Sequence, residues 1–186
     1  MVATRMIDEK EILQLLENDN MLDKAFGFIL DKYQERLYWH IRRMVGGHED
    51  ANDVFQNTMI KAYKGIQKFQ AKSTLLTWLY RIATNESITF INKRTKKETV
   101  SIDNEDLGLS NQMKAERYTE EGLAEKYLKE AIEELPEKQR VVFIMRYYDE
   151  MPYQDIEQVL GTSVGALKAS YHHAAKKIEA YIRKQF

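Results

Sequence analysis

The chain has 186 residues, 44% of them hydrophobic, with 28 Lys and Arg against 29 Asp and Glu and a net charge of −1. That length allows one large domain or two small ones, the hydrophobic share excludes disorder by composition, and the near-neutral total argues against a general polyanion binder. The absence of cysteine excludes disulfides, thiolate metal sites and a thiol nucleophile, and two prolines with eight glycines favour long helices over a many-stranded sheet.

Taken from the N-terminus, the sequence MVATRMIDEKEILQLLEN is charged and amphipathic, without the apolar run that secretion or membrane insertion requires. A cytoplasmic protein with no stable membrane insertion is the expectation. Asp8 is placed to cap a short helix through Ile12, Leu13, Leu15 and Leu16. A second helix is predicted from about Met21 to Val45, with Leu22, Phe26, Ile29, Leu30, Tyr33, Leu37, Ile41 and Met44 close to a 3.6-residue period. Gly46 and Gly47 end it. A third helix starts near His48, with Glu49 and Asp50 suited to the positive end of its dipole. Ala51, Val54, Phe55, Thr58, Ala62 and Ile66 form its inner face, leaving Asp50, Asp53, Gln56, Asn57 and Lys61 outside. Polar residues so placed are most often a plain solvated face.

Residues 65–73, GIQKFQAKS, read as a loop around Phe69, after which Ser73 or Thr74 caps a fourth helix from about Leu75 to Lys96. It opens on the apolar run LLTWLYRIA and ends in INKRTKK. Its terminal cations suit the negative end of a helix dipole. Beside Trp78, Tyr80 and Phe69 they also suit single-stranded nucleic acid, where each stacked base contributes roughly 1–3 kcal/mol. Trp78 itself reads as core.

Residues 98–118 are acidic, polar and weakly periodic, and read as a flexible linker between residues 1–97 and 119–186. Charge is segregated along the chain: from Glu98 to Glu121 seven acids face two cations, whereas from Gly161 to Phe186 five cations face one acid. Helices are predicted from about Thr119 to Leu135 and from Glu137 to Tyr148, the latter opened by Pro136. From Tyr153 to Ile182 the pattern is helix, short turn, long helix. Gly161 is fit to end the first and Ser163 to cap the second. Val164, Leu167, Tyr171, Ala174 and Ile178 share one side of the last helix; Gly165, Ala169, His172, His173 and Lys176 share the other. A core stripe backed by a small, basic, hydrogen-bonding face is what a major-groove recognition helix needs, although ordinary helical hairpins share the pattern. The fold class expected is therefore all-α, two small helical domains joined by an acidic linker, the second a helix-turn-helix.

No catalytic constellation stands out. Adjacent His172 and His173 point about 100° apart on a helix and do not chelate one metal together. No HExxH, phosphate-binding glycine loop or Gly-x-Ser-x-Gly is present. No enzyme activity, cofactor or metal is expected.

Three stretches together resemble the extracytoplasmic-function sigma factors of the sigma-70 family, small two-domain subunits of bacterial RNA polymerase. DANDVFQNTMIKAY, residues 50–63, is similar to the region 2.2 motif D-A-E-D-x-x-Q-E-T-F-x-x-A. The resemblance implies docking on the β′ clamp helices through Asp50, Asp53 and Gln56 with Asn57 alongside, besides contact with the β subunit. STLLTWLYRIATNESITFINKRTKK, residues 73–97, is similar to regions 2.3–2.4, T-W-L-x-R-I-A-x-N…R. It implies that Phe69, Tyr80, Ile82, Ala83 and Asn85 hold a base flipped from the −10 element of melted promoter DNA, with Lys68, Arg81, Lys93 and Arg94 near phosphates. The loop before it departs from the common F-R-G-x-S-x-F-x-T-W. LPEKQRVVFIMRYYDEMPYQDIEQVLGTSVGALKASYHHAAKKI, residues 135–178, is similar to region 4. It implies that Ser163, Gly165, Lys168, Ala169, His172, His173 and Lys176 read the −35 element of duplex DNA. Ala169-Ser170 and His173-Ala174-Ala175 stand where Ser-Arg and Arg-Ala-Arg are usual, removing bidentate guanine readout and phosphate charge. The resemblance also implies an anti-sigma partner. The expected function is promoter recognition and opening with core polymerase. The alternatives are a stand-alone dimeric helix-turn-helix regulator and a helical adaptor with no DNA role.

Overall fold

The computed structural model describes residues 7–102 and 120–185, and among these every regular element is helical. The chain divides into two compact units, one comprising residues 1–91 with 157–161, the other residues 92–156 with 162–186.

The first unit begins with α1, Glu9–Leu16. Asp8 caps it reciprocally: its carboxylate accepts from the Glu11 N–H at 2.7 Å, and the Glu11 carboxylate accepts from the Asp8 N–H at 3.3 Å. Ile12 is its buried anchor. The longer α2, Leu22–Val45, buries Phe26, Ile29, Tyr33, Leu37, Ile41 and Met44 of the predicted stripe, while Leu22 and Leu30 are half-buried. Gly46, at φ 88°, ends it in a conformation that costs a side-chain-bearing residue strain. The chain then reverses into α3, His48–Gly65, which buries Ala51, Val54, Thr58 and Ala62. Ile66–Lys68 continue as one 3-10 turn, so part of the segment read as a loop is helical.

α4 spans Leu75–Ile102. Leu75, Leu79, Tyr80, Ala83, Thr84 and Ser87 are buried, falling on one face at three- and four-residue spacing. The helix runs unbroken through Lys97, so residues 98–102, read as linker, continue it. The rest of the acidic linker lies outside the described residues.

Beyond residue 119, α5 is Glu120–Glu133, α6 is Glu137–Phe143 and α8 is Val164–Ile182, all in the second unit, while α7 is Tyr153–Leu160, whose residues 157–160 group with the first. Pro136 is the N-cap of α6 rather than its first residue. The helix expected to run to Tyr148 changes to a π-helical turn over Ile144–Tyr148. Val141 to Met145, which lead into this turn, are five consecutive buried residues. Phe143 stacks between Tyr147 at 5.1 Å and Tyr171 at 5.5 Å, tying this turn to α8. Leu167, Ala174 and Ile178 are the buried residues of α8. Gly161 at φ 65° ends α7, and the Ser163 hydroxyl accepts from the Ala166 N–H at 3.5 Å to open α8.

Candidate functional site

On α3 the inner stripe forces Asp53, Gln56 and Asn57 outward, and all three are exposed. Asp50 is only half-exposed. A Cβ added at Gly47 would lie 3.0 Å from its Oδ2, so this carboxylate sits back over the start of its own helix. Its local role is to complement the helix terminus. Ile60, 52% exposed, was not singled out from sequence. It stands four residues beyond Gln56 and seven beyond Asp53, so at about 100° per residue it shares their face. The signal was available: it is an apolar residue out of register with the inner stripe. Lys61, also on the outer side, instead forms an ion pair with Glu86 of α4.

The −10 candidates separate into two groups. Lys68, Arg81 and Asn85 are exposed, Phe69 and Ile82 half-exposed, and Lys93 and Arg94 are exposed farther along the same helix. Tyr80 and Ala83 are different: they are 1% and 0% exposed. Tyr80 packs edge-on against the buried His40 at 4.9 Å, and His40 Nε2 is 3.0 Å from the Thr84 hydroxyl. The α-helical period places both residues on the core face of α4, so they shape the helix from behind and do not offer an open surface for a base. Trp78, expected as core, is half-buried and tilts against Phe69 at 5.4 Å, giving the helix start an accessible aromatic pair.

Between this pair the chain turns through Ala71 at φ 50°, left-handed backbone that disfavours a Cβ. In the motif F-R-G-x-S-x-F-x-T-W this is the glycine position, so the departure in sequence is a local strain. Ala71→Gly is expected to stabilise the protein by about 0.5 kcal/mol, the relief of left-handed strain less the added freedom of glycine in the unfolded chain. Equilibrium urea unfolding measures it.

On α8 every −35 candidate is exposed: Ser163, Gly165, Lys168, Ala169, His172, His173 and Lys176. The face is small at Gly165 and Ala169 and carries its donors at Lys168, His172, His173 and Lys176. The Lys168 ammonium stands 5.8 Å from the centre of the Tyr153 ring, and the Arg146 guanidinium 5.2 Å from the same ring. Sequence reading did not find this triad, because the three residues come from separate elements. Among the described residues no group of three or more His, Cys, Asp or Glu is placed to hold a metal ion, and no helix is long and apolar enough to cross a membrane.

The arrangement is all-helical among the described residues, with a helix-turn-helix pattern over α7 and α8, an amide-and-acid face on α3 and a cationic, aromatic start to α4. Comparison with known proteins gives it a family. Sigma-70 region 2 matches residues 29–97 and sigma-70 region 4 matches residues 125–178. The ECF RNA polymerase sigma factor SigW of Bacillus subtilis is 30% identical over 188 residues, spanning 96% of this chain and 98% of its own. The RNA polymerase sigma-H factor of Pseudomonas aeruginosa is 29% identical over 183 residues, spanning 94% and 95%. Among solved structures, the sigma factor RpoE of Bartonella quintana, in complex with the anti-sigma factor NepR, has a TM-score of 0.68 at 21% identity, covering 86% of this chain and 98% of that one; this likeness bears on the fold. The chain belongs to the sigma-70 family, among its extracytoplasmic-function members. Its function is that of a sigma factor in transcription initiation and not of a stand-alone regulator.

Proposed function

We propose that the chain works by three contacts, each on an exposed helix face. Asp53, Gln56 and Asn57, with Ile60 one turn further along the same face, dock on the β′ clamp helices of core RNA polymerase; Asp50 contributes from the start of the same helix. Lys68, Phe69, Arg81, Ile82 and Asn85 engage the melted −10 element, with Lys93 and Arg94 near phosphates. Ser163, Gly165, Lys168, Ala169, His172, His173 and Lys176 read the −35 element. Residues 1–97 form the region 2 domain and 119–186 the region 4 domain, with the linker between them starting as the end of α4, through Ile102. The role is non-catalytic, the location is the cytoplasm, and an anti-sigma protein holds the factor when it is idle; RpoE of Bartonella quintana, a fold neighbour, was solved with such a partner.

The observation that carries this reading is the α8 face. All seven candidates are exposed while Leu167, Ala174 and Ile178 on the opposite side are buried. With few arginines the face binds duplex DNA weakly by itself. Attachment to polymerase offsets that by raising its local concentration. The double substitution Lys168→Glu, His172→Glu is expected to lower transcription from a −35-containing promoter by about 30-fold, since each introduced carboxylate meets phosphate repulsion. Polymerase association is expected to stay within about twofold, because the docking face is on α3. Runoff transcription with reconstituted holoenzyme measures the first and a sizing column the second. Unchanged transcription would remove α8 from promoter reading.

A further inference from the structure

The start of α4 is held from outside as well as from within. Locally, the Thr74 hydroxyl accepts from the Thr77 N–H at 3.1 Å, and the two hydroxyls are 2.8 Å apart. From α1, the Glu9 carboxylate reaches the same helix end across 66 positions of sequence: its Oε1 accepts from the Leu75 N–H at 2.9 Å. Its Oε2 accepts from the Tyr33 hydroxyl of α2 at 3.1 Å. One carboxylate therefore joins three helices. It satisfies a backbone donor that a helix leaves open at its first residue, and it places negative charge at the positive end of the helix dipole. Tyr33 is a durable donor to it, since burial, followed by the charge of Glu9, raises the phenol above its ordinary range. α1 is itself fixed, with Ile12 fully buried, the Asp8–Glu11 capping box at its head, and the Lys32 ammonium donating to the Ile7 carbonyl at 3.0 Å.

What this brace holds still is specific. Phe69 lies six residues before Leu75 and Arg81 six after, and the strained Ala71 turn lies between Phe69 and the helix start. A residue held in left-handed backbone persists only where the structure around it over-determines its position, and the anchored helix start is part of that surrounding structure. We infer that Glu9 is a positioning residue for promoter opening: an inter-helix cap that fixes the loop over residues 69–74 and the first turns of α4 so that Phe69, Arg81 and their neighbours are pre-set for the −10 strand. The inference rests on the −10 reading given above. The docking face on α3 belongs to a different helix with its own termini, so the two activities are separable.

The test uses full-length protein reconstituted with core RNA polymerase, on a promoter recovered by mapping transcript 5′ ends, with a fluorescent base analogue in the −10 element to report opening. Glu9→Ala is expected to slow opening by about tenfold, while polymerase affinity stays within about twofold. Glu9→Gln keeps an oxygen to accept from Leu75 and is expected to recover opening to within about threefold of the parent. If Glu9→Ala opens the promoter as fast as the parent, the inference is wrong. It is equally wrong if Glu9→Ala and Glu9→Gln lose polymerase binding and opening in parallel, which is the signature of general destabilisation. Failure of the parent holoenzyme to open any such promoter would instead remove the −10 reading, an outcome distinct from both.

Discussion

Asp53→Lys is expected to weaken association with core RNA polymerase by at least about 100-fold, equivalent to roughly 2.7 kcal/mol. Asp53 is exposed in the middle of α3, one turn before Gln56 and Asn57 and two before Ile60. The residues opposite it, Ala51, Val54, Thr58 and Ala62, are what holds α3 in its unit. Lysine at an exposed mid-helix position leaves that packing intact, so the melting temperature is expected to shift by no more than a degree or two, in line with ordinary surface substitutions. The partner surface suited to acids and amides is basic and hydrogen-bonding, and a like charge set against it costs several kcal/mol. Fluorescence anisotropy of labelled protein titrated with core enzyme measures the loss. Binding that survives within a few-fold would place docking elsewhere. Asp50 is the poorer choice for this experiment: its carboxylate lies against Gly47 at the helix start, and its removal mixes a stability change with any loss of contact.

The second large effect is expected at Leu167. This side chain is 0% exposed and sits on the inner face of α8, with Ala174 and Ile178 following at the same face. Leucine to alanine at such a site costs about 2–5 kcal/mol, the lost transfer energy plus the cavity left behind. A unit this small has only a modest reserve of stability. Leu167→Ala is therefore expected to leave residues 120–185 largely unprotected in hydrogen exchange near growth temperature, while the amides of α2 and α3 keep their protection. Transcription that depends on the −35 element would fall by more than about tenfold, and polymerase association through α3 would persist. Uniform loss of protection throughout the chain would show that residues 120–185 do not unfold separately from α2 and α3.

These outcomes depend on faces, and the faces differ in how directly the sequence displays them. α2 and α8 have apolar residues at regular three- and four-residue spacing, and their buried sides were readable from that period alone. The caps at Asp8 and Ser163 were equally plain, because a short polar side chain ahead of an apolar run has one favourable use there. The opening run of α4 was less legible. LLTWLYRIA is apolar almost all round, so periodicity does not say which residues face in. Matching the motif position by position assigned Tyr80 and Ala83 to a base pocket, whereas packing against His40 and α2 takes them into the core. Trp78 went the opposite way, to a half-exposed place beside Phe69.

The sequence by itself determined the all-helical class, most helix starts and stops, the segregation of charge, and the family. All of these rest on local preferences or on patterns that repeat within a few turns. Only the tertiary structure decided which residues of α4 are buried, that the helix starting at Glu137 widens into a π turn at Ile144, and that Glu9 closes the end of a helix 66 residues away. The physical reason is common to the three. A carboxylate, an aromatic ring or an unpaired N–H carries the same local preference wherever it occurs. Its partner is chosen by the path of the chain in space, which neighbouring residues do not encode.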